Sequence, residues 1–203
     1  MTIIRELYNN FIVKLQEFTY TTGATKRIQT MSEYIDIRPS DILLDIGGNT
    51  GKITEAYSDS CKEVVVLEPK HSIVEYGRSN RPRIKFVEGE AENIPLPDEH
   101  FDKVVASASF HHFSDQDKAL GEMKRVLKPG GKIIILEIDP NTPKGKRLNF
   151  CETLFHTGAK FYQPLQLSKK IEEHHLHVLS MDYTTIGYFL TAVKNTQKDK
   201  KVK

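Results

Sequence analysis

The chain has 203 residues, enough for one α/β domain to bury a full core but cramped for two independent catalytic domains. Hydrophobic residues make up 38%, charged residues 28% and aromatics 9%, with 12 Gly and 9 Pro, a composition that excludes disordered, collagen-like and membrane-spanning classes. The formal net charge of +2 is unevenly placed: residues 194–203 hold five lysines against Asp199 and carry +4, so the body stands at −2, nucleic acid is not its expected partner, and the lysines read as a solvated tail.

At the amino end, Arg5 and Glu6 interrupt the apolar residues before a secretory signal can form, so a cytoplasmic protein is expected. Leu7, Phe11, Leu15 and Phe18 recur at steps of three and four and predict an amphipathic helix that ends at Thr21-Thr22-Gly23. A second helix should run from Thr25 through Ile28, Met31 and Ile35 and stop before Pro39, because the residue preceding proline avoids the helical region. These two helices form an amino-terminal cap over residues 1–38. The pattern then changes to strands at 42–46, 63–68, 84–87, 102–107 and 132–138, with helices after the first two and at 116–127, the last ended by Pro129-Gly130-Gly131.

Continuous apolar strands separated by helices predict a doubly wound, Rossmann-like parallel sheet covered on both faces. Residues 139–163, rich in Pro, Lys, Gly and aromatics, read as a lid-like insertion, followed by a helix at 164–174. Segments 178–183 and 187–193 lie too close together for a helical crossover, so they should pair as an antiparallel hairpin and end the sheet in a reversed strand. One domain over 1–193 and a tail over 194–203 result. Cys61 and Cys151 have no CxxC partner, which argues against both a disulfide framework and a zinc site.

Asp45-Ile46-Gly47-Gly48-Asn49-Thr50-Gly51 follows a strand and opens a helix, the context in which glycines let backbone approach a nucleotide closely. Glu68 ends the next strand, where a carboxylate can accept from both hydroxyls of a ribose. Together they indicate a nucleoside-type cofactor.

Five segments in order extend this pattern: Leu44-Asp45-Ile46-Gly47-Gly48-Asn49-Thr50-Gly51, Val66-Leu67-Glu68-Pro69, Glu88-Gly89-Glu90-Ala91-Glu92-Asn93-Ile94-Pro95-Leu96-Pro97, Phe101-Asp102-Lys103-Val104-Val105 and Val126-Leu127-Lys128-Pro129-Gly130-Gly131. On these the chain resembles class I S-adenosylmethionine-dependent methyltransferases, of the group that includes the ubiquinone and menaquinone C-methyltransferases. The resemblance implies a seven-stranded sheet with an antiparallel last strand and S-adenosyl-L-methionine as cofactor. It implies that Asp45, Gly47, Gly48, Asn49 and Gly51 shape the pocket for the methionine moiety, that Glu68 holds the ribose and that Pro69 packs on the adenine. Glu90 would accept from the adenine amino group, the Ala91 amide would meet a ring nitrogen, and the Ser107 carbonyl would contact the methionine amino group. The segment Thr22-Gly23-Ala24-Thr25-Lys26-Arg27 resembles one that approaches the cofactor's carboxylate. The middle glycine of the family turn is here Asn49, the non-glycine residue that best tolerates positive φ.

Methyl transfer from a sulfonium is an in-line displacement, so the protein must chiefly position, desolvate and sometimes deprotonate. His111 and His112 follow the fourth strand and Glu137 ends the fifth, all on the rim where such sheets bind ligands, which makes them the candidate bases. His174-His175-x-His177 lacks the Cys or carboxylate partners of a metal site and reads as a polar turn. Phe150, Phe155, His156, Phe161 and Tyr162 read as core or cover for an apolar acceptor. The expected function is methyl transfer to a small molecule. A non-catalytic module that binds the same cofactor, a methyltransferase acting on RNA or protein, and a nicotinamide-dependent dehydrogenase are the competing readings.

Overall fold

The computed structural model describes residues 31–154, 158–184 and 187–196. The first predicted helix and most of the second lie outside them; residues 31–35 are helical and the chain turns at Asp36 with φ 50°. Strand β1 (Ile42–Ile46) is followed by helix α1 (Lys52–Ser58), β2 (Glu63–Glu68), α2 (His71–Asn80), β3 (Lys85–Glu88) and β4 (Phe101–Ser107). A single 3₁₀ turn (Phe110–His112), α3 (Gln116–Val126), β5 (Leu127–Glu137), α4 (Pro143–Leu154), α5 (Pro164–Glu173), β6 (Leu176–Tyr183) and β7 (Tyr188–Lys194) complete the order.

The strands form one seven-stranded sheet in the order β3-β2-β1-β4-β5-β7-β6. Pairings from β3 across to β5 are parallel, and β7 runs antiparallel to both neighbours. The period-two alternation of a strand puts successive side chains on opposite faces, so both faces of these apolar strands are buried. Leu44, Val104, Ile133 and Ile135 pack with Leu120 and Met123 of α3 and with Leu167 and Ile171 of α5. Leu43, Val105, Ile134 and Leu136 face the other way, against Met31, Ile35, Tyr57 and Val74.

The seven strands and the antiparallel last strand agree with the sequence expectation; that strand, β7, lies inside the sheet and not at its edge, because Tyr188, Phe189 and Leu190 are fully buried whereas β6 keeps His177 and Leu179 in solvent. The more apolar strand of the hairpin therefore sits inside and the more polar one takes the edge. Pro129-Gly130-Gly131 does not follow α3 as a loop. Pairing with β4 begins at Leu127, and the register slips between Phe101 and Lys103 around Gly130, whose φ of 79° suits a bulge. Lys194 belongs to β7 and not to a tail: its Nζ donates to the Leu127 carbonyl at 2.7 Å and to Glu99 at 3.1 Å. The lid-like insertion carries α4, whose residues are exposed except for Gly145 and a few half-buried positions; Phe150 stands 67% exposed and is not core. No helix among the described residues is long and apolar enough to cross a membrane.

Candidate cofactor and acceptor cleft

A cleft of ≈ 450 Å³ opens at the carboxyl ends of β1, β2 and β4, where strand order reverses and open α/β sheets take their ligands. The β1–α1 turn contributes Gly47 and Asn49, the end of β2 contributes Glu68 and Pro69, the loop after β3 contributes Glu90 and Ala91, and the chain after β4 contributes Ser109 and His112.

The floor of this cleft depends on backbone that few residues can supply. Gly47 has φ 70°, and a Cβ there would lie 2.6 Å from the Ser109 Cβ. Its amide donates to the Leu67 carbonyl at 2.8 Å, so the turn is stitched to β2 while Ser109 Oγ donates to the Ile46 carbonyl at 2.6 Å and stitches it to β4. Ala108 accommodates this approach with φ 53°, a conformation costing an L-residue about 1–2 kcal/mol. Asn49 adopts φ 54°, and its Oδ1 accepts from the Thr50 amide at 2.7 Å. The missing glycine thus does not break the turn; the side chain is tied back to the backbone that follows.

Gly48, Gly51, Asp45 and Ser107 do not line the cleft. Gly51, φ 79°, caps α1 against Phe86, whose Cζ would lie 2.7 Å from an added Cβ. Gly48 lies over the Asp45 carboxyl group, 3.0 Å from its Cγ to an added Cβ. Asp45 is 2% exposed, its Oδ2 accepting from Thr54 Oγ1 at 2.5 Å and Tyr57 OH at 3.1 Å, and burial raises its pKa against the pull of those donors.

The residues present fit a nucleoside-type cofactor. Glu68 is a buried carboxylate in the cleft wall, with one long bond from the Lys70 amide at 3.3 Å, and burial raises its pKa despite the facing amides of Lys70 and Asn49. A carboxylate so desolvated and so sparsely bonded has acceptor capacity left for hydroxyl donors. Beneath the turn, Asp45 Oδ1 and Ser107 Oγ are buried and have no hydrogen-bond partner among the described residues, as buried polar atoms that meet a ligand or water commonly do.

Of the three candidate bases, only His112 lines the cleft. His111 and Glu137 are buried behind it as a pair, Nδ1 lying 2.8 Å from Oε2. Burial, then the neighbouring His111, lowers the pKa of His112, while Glu152 and Glu137 pull the other way. The three residues are therefore one linked group with one exposed member.

Sequence reasoning assigned no role to Lys70, Glu92, Ser109, Phe113 or Ser114, all of which line the cleft. Glu92 accepts from Ser114 Oγ at 2.9 Å and from the Asp115 amide at 3.0 Å, which outweighs its burial and lowers its pKa. Its place beside Glu90 and Ala91 in the matched segment was the available signal; Ser109 had none beyond following β4. Elsewhere, His174 of the histidine-rich turn accepts a surface role, its Nε2 3.0 Å from Asp117, and Phe155 and His156 lie outside the described residues.

Residues 44–135 match a family model described as a methyltransferase domain. The chain is 36% identical over 121 residues to the demethylmenaquinone methyltransferase of Renibacterium salmoninarum, covering 59% of this chain and 51% of that protein. It is 32% identical over 135 residues to the ubiquinone/menaquinone biosynthesis C-methyltransferase of Psychromonas ingrahamii, covering 62% and 49%. The chain thus spans about half the length of the curated relatives it matches. Among solved structures it resembles an S-adenosylmethionine-dependent methyltransferase of Thermotoga maritima, described as a possible histamine N-methyltransferase, with TM-score 0.73 at 20% identity over 94% of this chain and 99% of that one.

Proposed function

We propose that this chain, whose residues 44–135 match a methyltransferase-domain family model and whose fold resembles that of a solved S-adenosylmethionine-dependent methyltransferase, is an enzyme that binds S-adenosyl-L-methionine in the cleft and transfers its methyl group to a small-molecule acceptor. The observation that carries the reading is Glu68: a buried carboxylate with spare acceptor capacity, ending β2 in the wall of a cleft at the sheet's switch point. When bound, the cofactor supplies an activated methyl group on a positively charged sulfur. The residues of this chain bind, orient and exclude water around it.

In this reading Glu68 takes the ribose hydroxyls, Pro69 and Ala91 flank the adenine, and Glu90 accepts from its amino group. Asp45, Gly47, Gly48, Asn49, Gly51 and Ser107 set the backbone and buried charge around the methionine end. His112, lowered in pKa and neutral near pH 7, takes the acceptor's proton at the rim. The quinone-directed names of the curated relatives make a reduced demethylmenaquinone the first acceptor to try.

Isothermal calorimetry with S-adenosylhomocysteine and with NADH tests the cofactor. Saturable binding of the first and none of the second is expected; no binding of S-adenosylhomocysteine at millimolar concentration removes the reading. Transfer of labelled methyl from S-adenosylmethionine to reduced demethylmenaquinone then tests the acceptor. Asn49 favours a second reading, a binding module without turnover, since it places a side chain where the family turn has none. Tight cofactor binding with no transfer to any quinol, phenol, amine or thiol in a panel supports that alternative.

A further inference from the structure

Among the described residues, Glu137 spends its carboxylate on the chain around the cleft. Its Oε1 accepts from the His111 amide at 3.1 Å and lies 2.9 Å from His111 Nδ1; its Oε2 lies 2.8 Å from the same nitrogen and accepts from the Ile138 amide at 3.3 Å. With a carboxylate on that side, Nδ1 carries the imidazole proton toward it. The His111 carbonyl accepts from the Lys160 amide at 2.8 Å, and the Phe161 ring stacks on the imidazole at 4.3 Å between centroids. Gln116 Nε2 adds a second tie, donating to the Phe110 carbonyl at 3.1 Å and the Lys160 carbonyl at 2.9 Å. One buried node therefore joins the end of β5, the 3₁₀ turn and the point where the insertion returns. His112, the next residue, rests its ring 4.1 Å from that of His111.

We infer that Glu137 is a positioning residue: acting through His111, it fixes the turn that presents His112 to the cleft and fastens both ends of the insertion beside it. The inference rests on the proposed reading of the cleft and adds to it that Glu137 is not a base, because every donor it meets among the described residues belongs to the scaffold. A buried acceptor that loses its place releases three amide or imidazole donors into an apolar surround, so the turn and the insertion ends must move together.

Native-state hydrogen exchange on the full wild-type chain, without cofactor, tests the node first. The amides of His111, Ile138 and Lys160 should open as one cooperative unit with matching rates; unrelated rates overturn the inference, and this arm needs no variant to fold. Next comes an NMR titration of the His112 ring, which is faced by His111, Glu137, Lys70 and Glu152. Both variants, Glu137→Ala and Glu137→Gln, remove the Glu137 charge, which pulls the His112 pKa up, so Glu137→Gln, which keeps an acceptor oxygen for the turn, should shift the midpoint downward. Glu137→Ala, which also frees the ring from burial and from His111, should titrate higher than Glu137→Gln, and equal midpoints in the two variants overturn the positioning role. S-adenosylhomocysteine affinity is measured in parallel on the wild type: a wild type that binds no cofactor is a failure of the proposed function and leaves the exchange and titration results to judge Glu137.

Discussion

His111 Nδ1 sits 2.8 Å from Glu137 Oε2, and the two side chains are 5% and 3% exposed, so an imidazole and a carboxylate 26 positions apart form one buried pair. Neither member lines the cleft, whereas His112 does. In the proposed reading, base chemistry at this rim therefore falls to His112.

Replacing His112 by Ala should lower turnover by about 10²–10⁴-fold while leaving cofactor affinity unchanged, the usual contribution of a positioned base. Burial and His111 depress its pKa, so its neutral, proton-accepting form predominates from below the ordinary value of about 6.5 upward. Activity of the wild type should accordingly rise with pH through a midpoint lower than that value, and the substituted protein should lose this limb. Rates measured from pH 5 to 8 with the accepted substrate decide it; a substituted enzyme with the same limb excludes His112.

Glu68→Ala should weaken S-adenosylhomocysteine binding by about 1–3 kcal/mol, the cost of losing hydrogen bonds to a charged group. Burial raises the pKa of Glu68, so its acceptor form is lost at higher pH than for a free carboxylate. Affinity should therefore fall as pH drops through the region above 4.5, and calorimetry at pH 5 and 7.5 measures it. Sign and linkage agree for the empty protein: the native state holds this proton more tightly than the unfolded chain, so Glu68 makes folding less favourable as pH rises through the same window.

Gly47→Ala should destabilise by at least the 1–2 kcal/mol that positive φ costs an L-residue, because the new Cβ also overlaps the Ser109 Cβ. Ser109→Gly removes the overlap but not the φ strain. The double variant should thus recover part, and not all, of the loss seen in urea unfolding. Full additivity of the two single changes would show that these positions do not touch.

At the opposite end of the sheet, Lys103 Nζ lies 2.7 Å from Asp41 Oδ2, the side chains 6% and 8% exposed, and it also reaches the Asp36 carbonyl. Burial alone would raise the pKa of Asp41, but Lys103 and the Arg38 amide outweigh it and hold it down. Lys103→Met should cost about 3–5 kcal/mol by stranding a buried carboxylate. Because the folded pKa is depressed, the stabilisation from Asp41 is present above the unfolded value of about 3.9 and is lost as pH falls through the lower folded value. Thermal scans from pH 7 to 3 should show this acid loss in the wild type and a smaller one in Lys103→Met.

The sequence by itself determined the strands and most helices, because a run such as Val64-Val65-Val66-Leu67 and its flanking turn residues act locally, through burial and backbone preference. It also marked the turn from Asp45 to Gly51 and the carboxylate of Glu68, each readable from the order strand, turn, strand end. Only the tertiary structure decided which histidine of the adjacent pair faces the cleft, since that follows from β4 and β5 pairing Ser107 with Leu136, which brings His111 onto Glu137. The same holds for Ser109 closing on Gly47, for Pro129-Gly130-Gly131 entering a strand, and for β7 taking the inner place that its apolar residues fill better than β6. Strand register and sheet order are set by how all seven strands share one core, a sum over the whole chain that no local window of residues contains.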